Sequence, residues 1–359
     1  MRYYFPALLI FLSLNVSAQD SLTYKYTVFA SGNLGFIIAH RPSLLPLQEG
    51  HVKGFDIAVS RKTDGTKSWQ EQFLYPETGL LLSYFDLGTK KLGRGVAIFP
   101  FIDFPLGKNS EVHLRYGMGF GWIEHIFNPV DNYQNAAIGS HFNGVIHVDL
   151  HYEKEIGKTV LFGGVGITHF SSGGFKVPNL GINIALMNAG MKCVFGTTTI
   201  RHSNQTTAKP TAETDLYIAG ALKNIYPPFG KQYYASTISV SRQMPIRRRS
   251  FWGVGVDLFY DNSIAARLDR IQTTPAKESD NIRTGIYGSY CLKVGSLGLM
   301  FNMGGYIYNK WKDDGNIYHR ICVRYELQKL FFCVNLKTHY ARADFVEVGI
   351  GYRFKNRHV

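Results

Sequence analysis

The last run of the chain reads Val346-Glu347-Val348-Gly349-Ile350-Gly351-Tyr352-Arg353-Phe354. Successive side chains of an extended strand point to opposite faces. Val346, Val348, Ile350, Tyr352 and Phe354 therefore share one face, and Glu347, Gly349, Gly351 and Arg353 share the other. A strand that is apolar on one side and polar or small on the other suits a barrel wall between lipid and lumen. The run closes on aromatics, with five residues beyond Phe354. Such an ending resembles the signal read by outer-membrane barrel-assembly machinery.

Similar runs fill the chain, separated by turn-forming residues. They fall at about 24–40, 52–62, 69–88, 94–106, 111–125, 143–155, 159–172 and 182–196. The second half continues at about 215–223, 232–244, 250–261, 282–294, 297–309, 316–327, 330–339 and 343–354. The count is sixteen, an even number as bacterial outer-membrane barrels require. The expectation is an all-β chain forming one transmembrane antiparallel β-barrel of about 12–16 strands.

Composition agrees. Of 359 residues, 45% are hydrophobic, 14% aromatic and only 18% charged, with 37 Gly, 22 Tyr and 25 Phe. Disordered chains are charge-rich and aromatic-poor, so disorder is excluded. Mean hydropathy is near neutral, too polar for a bundle of membrane helices.

Arg2, the apolar run Phe5–Leu14 and the small residues Val16-Ser17-Ala18 read as a cleaved secretory signal peptide, residues 1–18. Residues 19–359 are then one exported barrel. The net charge of +13 suits an anionic lipid surface, or is merely the basic balance of many exported membrane proteins; nucleic acid is not an expected partner. Cys193, Cys291, Cys322 and Cys333 show no metal-ligand spacing, and no metal or cofactor is expected. They read as free thiols, buried or facing lipid.

Connection lengths set the orientation. The turns near 107–109, 156–158, 295–296 and 328–329 are short, as inner turns should be, and those at about 126–142 and 262–281 are long, as outer loops should be. Residues 197–214 break this pattern by being long where a short turn is expected, which questions the strand register there.

The segment with chemical content is Thr168-His169-Phe170-Ser171-Ser172-Gly173-Gly174-Phe175-Lys176-Val177-Pro178-Asn179-Leu180-Gly181-Ile182-Asn183. In the run before it, Leu161, Val165 and Ile167 share a face with His169 and Ser171. In the run after it, Ala185, Met187, Ala189, Met191, Cys193 and Phe195 share a face with Asn183, while Asn188 and Lys192 point the other way. This places His169, Ser171 and Asn183 on the outer wall near the rim. Polar groups on a lipid-facing wall are costly. Either headgroups and water at the rim satisfy them, or the site acts on a membrane lipid. Positions i and i+2 of a strand lie about 6.5 Å apart at the backbone, so an imidazole can reach the neighbouring hydroxyl as a base reaches a nucleophile. A residue of the return strand can fix the imidazole tautomer.

These residues resemble the active-site hairpin of outer-membrane lipid A 3-O-deacylases, the PagL-like acyloxyacyl hydrolases. That hairpin carries His-aromatic-Ser-Asn, a Gly-containing loop, Pro-Asn-x-Gly-Ile and then Glu. The resemblance implies His169 as base, Ser171 as nucleophile and Asn179 as an oxyanion-binding residue. It implies lipid A, or lipopolysaccharide, as the substrate, and an enzyme of the carboxylic ester hydrolase class in the bacterial outer membrane. Two positions depart from the pattern: Ser172 stands where Asn is common, and Asn183 stands where the triad acid is Glu. Asn183 can still accept from the imidazole, without supplying a charge. The match covers about 16 residues, in a hairpin at about 159–196. Family barrels are small and eight-stranded, with this hairpin at the C-terminus, whereas here about eight more runs follow.

Lys176 is a candidate contact for a lipid phosphate. His339 and Glu347 read as a structural pair in the lumen. His202-Ser203-Asn204 reads as a loop, and Arg247-Arg248-Arg249 as a solvated basic turn. The alternative reading is a non-catalytic barrel serving as channel, transporter or lipid-binding protein. The strand count favours it if the lumen is open.

Overall fold

The computed structural model describes residues 24–355, apart from Asn109, residues 201–209 and Ala341. The expected signal peptide, residues 1–18, lies outside the described residues. The sixteen strands are β1 (Tyr24–Ile38), β2 (Val52–Lys62), β3 (Glu77–Asp86), β4 (Arg94–Pro105), β5 (Val112–Ile123), β6 (Phe142–Ile156), β7 (Thr159–Ser171) and β8 (Ile182–Thr197), followed by β9 (Glu213–Asn224), β10 (Gln232–Pro245), β11 (Ser250–Asp261), β12 (Ile282–Val294), β13 (Leu297–Tyr308), β14 (Ile317–Leu327), β15 (Leu330–His339) and β16 (Arg342–Lys355).

The strand count is as expected, but the closure is not. The strands form two closed barrels of eight rather than one barrel of sixteen. β8 pairs back onto β1, with Phe36 opposite Ala185 and Ile38 opposite Asn183. β16 pairs back onto β9, with Ile350 opposite Ile218. This corrects the single barrel over residues 19–359. It also explains the long connection at 197–214. An even-stranded barrel begins and ends on the same side, so that segment links two barrels rather than two neighbouring strands. The strand register on either side of it was right.

One run was read too long. Ser68–Gln72 is a helical turn, α1, and the strand begins only at Glu77. Leu74 and Tyr75 take positive φ and Pro76 follows, so no ladder can form there.

Alternation holds in both barrels. Leu161, Val165, Ile167, Met187 and Met191 of the first barrel are exposed on its outer wall, as are Ile218, Val254, Val256, Ile286 and Val348 of the second. The inward residues are buried. The interior of an eight-stranded barrel is about wide enough for side chains to fill. Phe29, Phe101 and Phe162 pack edge to face in the first lumen, with the Arg115 guanidinium over Phe29. Arg115 also binds Asp103 at 2.9 Å, and Lys192 binds Glu153. In the second lumen Arg320 binds Asp257 at 2.6 Å, and Asp215 accepts from both Arg324 at 2.6 Å and Arg353 at 2.8 Å. The large strand count therefore yields two packed cores, not a wide aqueous channel. Cys193 faces outward, and Cys291, Cys322 and Cys333 are buried as free thiols in the second barrel.

The barrels touch at both ends. At the end with the long loops, Asn224 N–H donates to Gly174 O at 2.9 Å, and the rings of Phe127 and Phe229 stack 6.1 Å apart. At the other end Arg249 donates to Gln72 Oε1 at 2.6 Å and to Ser68 Oγ at 2.9 Å. The basic turn is thus not merely solvated: Arg249 ties the second barrel to α1 of the first.

Candidate active site

β7 and β8 form the hairpin that carries the site. Phe162, Thr168 and Phe170 of β7 are buried in the lumen. His169 and Ser171 consequently lie on the outer wall, half-buried, one turn of pleat from the rim. Register places His169 directly opposite Asn183 of β8. In directly opposed positions the Cβ atoms are about 5 Å apart, close enough for the two polar groups to meet. His169 Nδ1 donates to Asn183 Oδ1 at 2.7 Å.

A third residue completes this row, and the sequence reading missed it. His40 lies two residues beyond β1, and Asn183 Nδ2 donates to its Nδ1 at 3.1 Å. An amide is asymmetric, with a donor end and an acceptor end. By engaging the donor end, His40 turns the acceptor end toward His169. Nothing near Asn183 in the sequence announces His40, which is 143 residues away. Only the β1–β8 closure, with Ile38 opposite Asn183, could have pointed to it.

The loop between the strands is built around Asn179. Its Oδ1 accepts from Ser171 Oγ at 3.1 Å, Ser172 N–H at 2.8 Å and Ser172 Oγ at 3.0 Å. Its Nδ2 is buried and has no hydrogen-bond partner. Gly173 N–H donates to Ser171 Oγ at 3.1 Å. The expected hydrogen bond from Ser171 to His169 is therefore not made: the two side chains share a face, but the hydroxyl is turned toward Asn179. Gly181 takes φ of +71°, and a methyl group there would sit 2.7 Å from His169 Cε1. Only glycine lets the loop close over the imidazole edge. The Lys176 carbonyl lies 3.1 Å from Ser172 Oγ and shares that hydroxyl's single proton with Asn179 Oδ1, and the Lys176 ammonium lies 6.0 Å from the Phe175 ring centre.

The remaining candidates fall elsewhere. His339 Nε2 meets Tyr306 Oη at 2.7 Å, whereas Glu347 accepts from Thr237 and Asn335. Both are buried in the second lumen, as expected, but they are not a pair. His202-Ser203-Asn204 lies outside the described residues. Asp103, His113, His151 and Glu153 cluster closely enough to suggest a cation site. Arg115 and Lys192 already neutralise that cluster, which makes it an ion-pair network of the lumen.

Comparison with known proteins matches both barrels. Residues 53–192 match the family model described as lipid A 3-O-deacylase (PagL), and residues 212–356 match acyloxyacyl hydrolase, C-terminal domain. No curated protein matches the sequence. Solved structures with some likeness include CdiB from Acinetobacter baumannii, at 8% identity over 92% of this chain and 60% of that chain, with a TM-score of 0.20. This chain thus covers about 60% of that protein's length. BamA from Haemophilus ducreyi matches at 10% identity over 92% of this chain and 70% of that one, with a TM-score of 0.21. The siderophore receptor PirA from Pseudomonas aeruginosa matches at 9% identity over 94% and 82%, with a TM-score of 0.25. At such scores the architecture rests on the chain's own strand pairing. The hairpin, the two closed barrels and the two family matches together show that the chain belongs to the PagL-like acyloxyacyl hydrolase family of lipid A deacylases in the bacterial outer membrane.

Proposed function

We propose that this protein is an esterase that removes an ester-linked acyl chain from lipid A, with Ser171 as nucleophile and His169 as general base. The observation that carries this reading is the outward-facing His169–Asn183 pair, two residues from Ser171 and open to a substrate that arrives within the outer leaflet. The Nδ1–H bond to Asn183 leaves Nε2 as the basic nitrogen. Rotation of the Ser171 side chain between staggered positions re-aims its hydroxyl from Asn179 to that nitrogen, and catalytic hydrogen bonds often tighten only with substrate bound.

In the reaction Ser171 Oγ attacks the ester carbonyl and His169 takes its proton. The carbonyl oxygen becomes an oxyanion, which accepts from Asn179 Nδ2, the donor that otherwise lacks a partner. His169 returns the proton to the leaving alkoxide of the sugar. Water then attacks the acyl-enzyme by the same path reversed, releasing the fatty acid. Asn183 orients His169, and Lys176 offers a positive charge to a lipid phosphate. The aromatic close of β16, at Tyr352 and Phe354, serves recognition by the barrel-assembly machinery. The packed lumens weigh against the alternative of a channel or transporter.

Mass spectrometry of lipid A from cells with the natural protein, with Ser171→Ala and without the gene tests the reading. Loss of one ester-linked acyl chain should require Ser171, with at least about a 10³-fold drop in purified activity on substitution. An acylation pattern that does not respond to the protein, in cells where it is folded in the outer membrane, refutes the reading.

A further inference from the structure

We infer that the C-terminal barrel is a clamp that holds the loop after Ser171 in its working shape, so that the catalytic site is completed by both barrels. The catalytic sense of this inference rests on the function proposed above; the clamp itself does not.

Four contacts carry it. A methyl group built on Gly173 would sit 2.2 Å from Val346 Cγ2, and one built on Gly174 would sit 2.4 Å from Asp344 O. The loop backbone therefore lies directly against β16 of the second barrel. Both glycines have positive φ, +61° and +86°. That conformation is open to glycine at little cost, but it is not preferred over others, so something else must select it. The Gly174 carbonyl accepts from Asn224 N–H at 2.9 Å, at the end of β9, and the Phe175 carbonyl accepts from Gln232 Nε2 at 3.0 Å, at the start of β10. Two carbonyls and two glycines in succession are thus fixed by the other barrel.

The clamp has a firm base. Asp344 is buried and bonded to Lys337 at 2.9 Å and to Lys223, and Lys223 also binds Asp261 at 3.0 Å. This network anchors the β16 backbone that meets Gly174. On the loop side, the same short segment contributes Gly173 N–H to Ser171 Oγ. A shift of the glycines moves the nucleophile's surroundings. Misplacement by about 1 Å can cost around 10²-fold in rate.

Val346 is the residue to change. It lies on the outer wall of the second barrel and is 38% exposed, so the barrel does not need it to fold. Val348, two residues on along the same face and 65% exposed, serves as the control. The full-length protein in detergent micelles is examined by hydrogen–deuterium exchange over residues 172–176 and by deacylation kinetics on lipid A. In Val346→Ala and Gln232→Ala, exchange over the loop should speed up about ten-fold while the strands stay protected. For Val346→Ala, kcat should fall roughly ten-fold with KM within about two-fold, because the lesion is in alignment rather than in substrate binding. Val346→Ile should restore most of both, and Val348→Ala should change neither. Unchanged loop exchange in Val346→Ala and Gln232→Ala overturns the clamp. Accelerated exchange in a protein whose natural form lacks deacylase activity supports the clamp and refutes the proposed function instead.

Discussion

Replacing Asn183 with aspartate, alone and together with His40→Leu, separates the charge of the site from its geometry. Asn183 Oδ1 lies 2.7 Å from His169 Nδ1, so an isosteric carboxylate faces the same nitrogen without a change of reach. In the proposed attack on the ester the imidazole becomes cationic. Opposite charges centred about 4 Å apart attract by roughly 4 kcal/mol at an effective dielectric of about 20. Desolvating the carboxylate at a half-buried rim offsets part of this. We expect about 1.4–2.8 kcal/mol of net transition-state stabilisation, or roughly a 10- to 100-fold rise in kcat/KM.

The geometric half of the experiment concerns His40. In the natural protein His40 Nδ1 holds Asn183 Nδ2 at 3.1 Å and so aims the amide correctly. Leucine at position 40 frees the amide to turn its donor toward His169, which disfavours the Nδ1–H tautomer. A wrong tautomer costs about 10⁴-fold in the serine-protease triad, so a partial population of it should cost roughly 10- to 100-fold here. A carboxylate has two equivalent acceptor oxygens and cannot be turned the wrong way. In the Asn183→Asp background His40→Leu should therefore cost less than about three-fold. Initial rates of acyl release from lipid A in mixed micelles, for the four proteins, give the cycle. Heat-modifiable electrophoretic mobility checks that each barrel is folded. If His40→Leu costs the same factor in both backgrounds, the tautomer argument fails; if Asn183→Asp is no faster than the natural protein, the charge argument fails.

Two further outcomes follow from the packing. Gly181→Ala combines a strained positive φ with a methyl group 2.7 Å from His169 Cε1, so deacylation should fall by about ten-fold or more while electrophoretic mobility of the folded barrel is unchanged. Asp215→Asn removes the carboxylate that Arg324 and Arg353 share inside the second barrel. Leaving Arg324 buried without its partner should destabilise that barrel by about 3–5 kcal/mol, seen as a lower urea midpoint in detergent.

The candidate site was legible as far as local pattern reaches. His169, Ser171 and Asn183 were placed on one outer face by period-two alternation, and that is where they lie. The partner of Ser171 was not legible, because a hydroxyl's direction depends on what the loop offers it. Here Asn179 Oδ1 gathers three donors and takes the hydroxyl with them. Arg249 was misread for a similar reason: a run of three arginines looks solvated until a second barrel brings Ser68 and Gln72 to it.

By itself the sequence determined the strands and their faces, since a strand's alternation is a local demand of lipid on one side and packing on the other. It also singled out the hairpin at residues 159–196 as the candidate site, from the spacing of His169, Ser171 and Asn183 alone. It could not determine where each barrel closes. β8 satisfies lipid equally well beside β1 or beside a ninth strand, for every neighbour offers the same backbone ladder and the same alternation. Closure is decided by which partner lets sixteen strands fill their interiors. Two lumens of eight are packed by Phe29, Phe162, Arg115, Arg320 and Arg324, whereas one lumen of sixteen would leave those charges facing water. That tertiary choice brings His40 to Asn183 and Val346 to Gly173, two contacts between residues far apart in the chain.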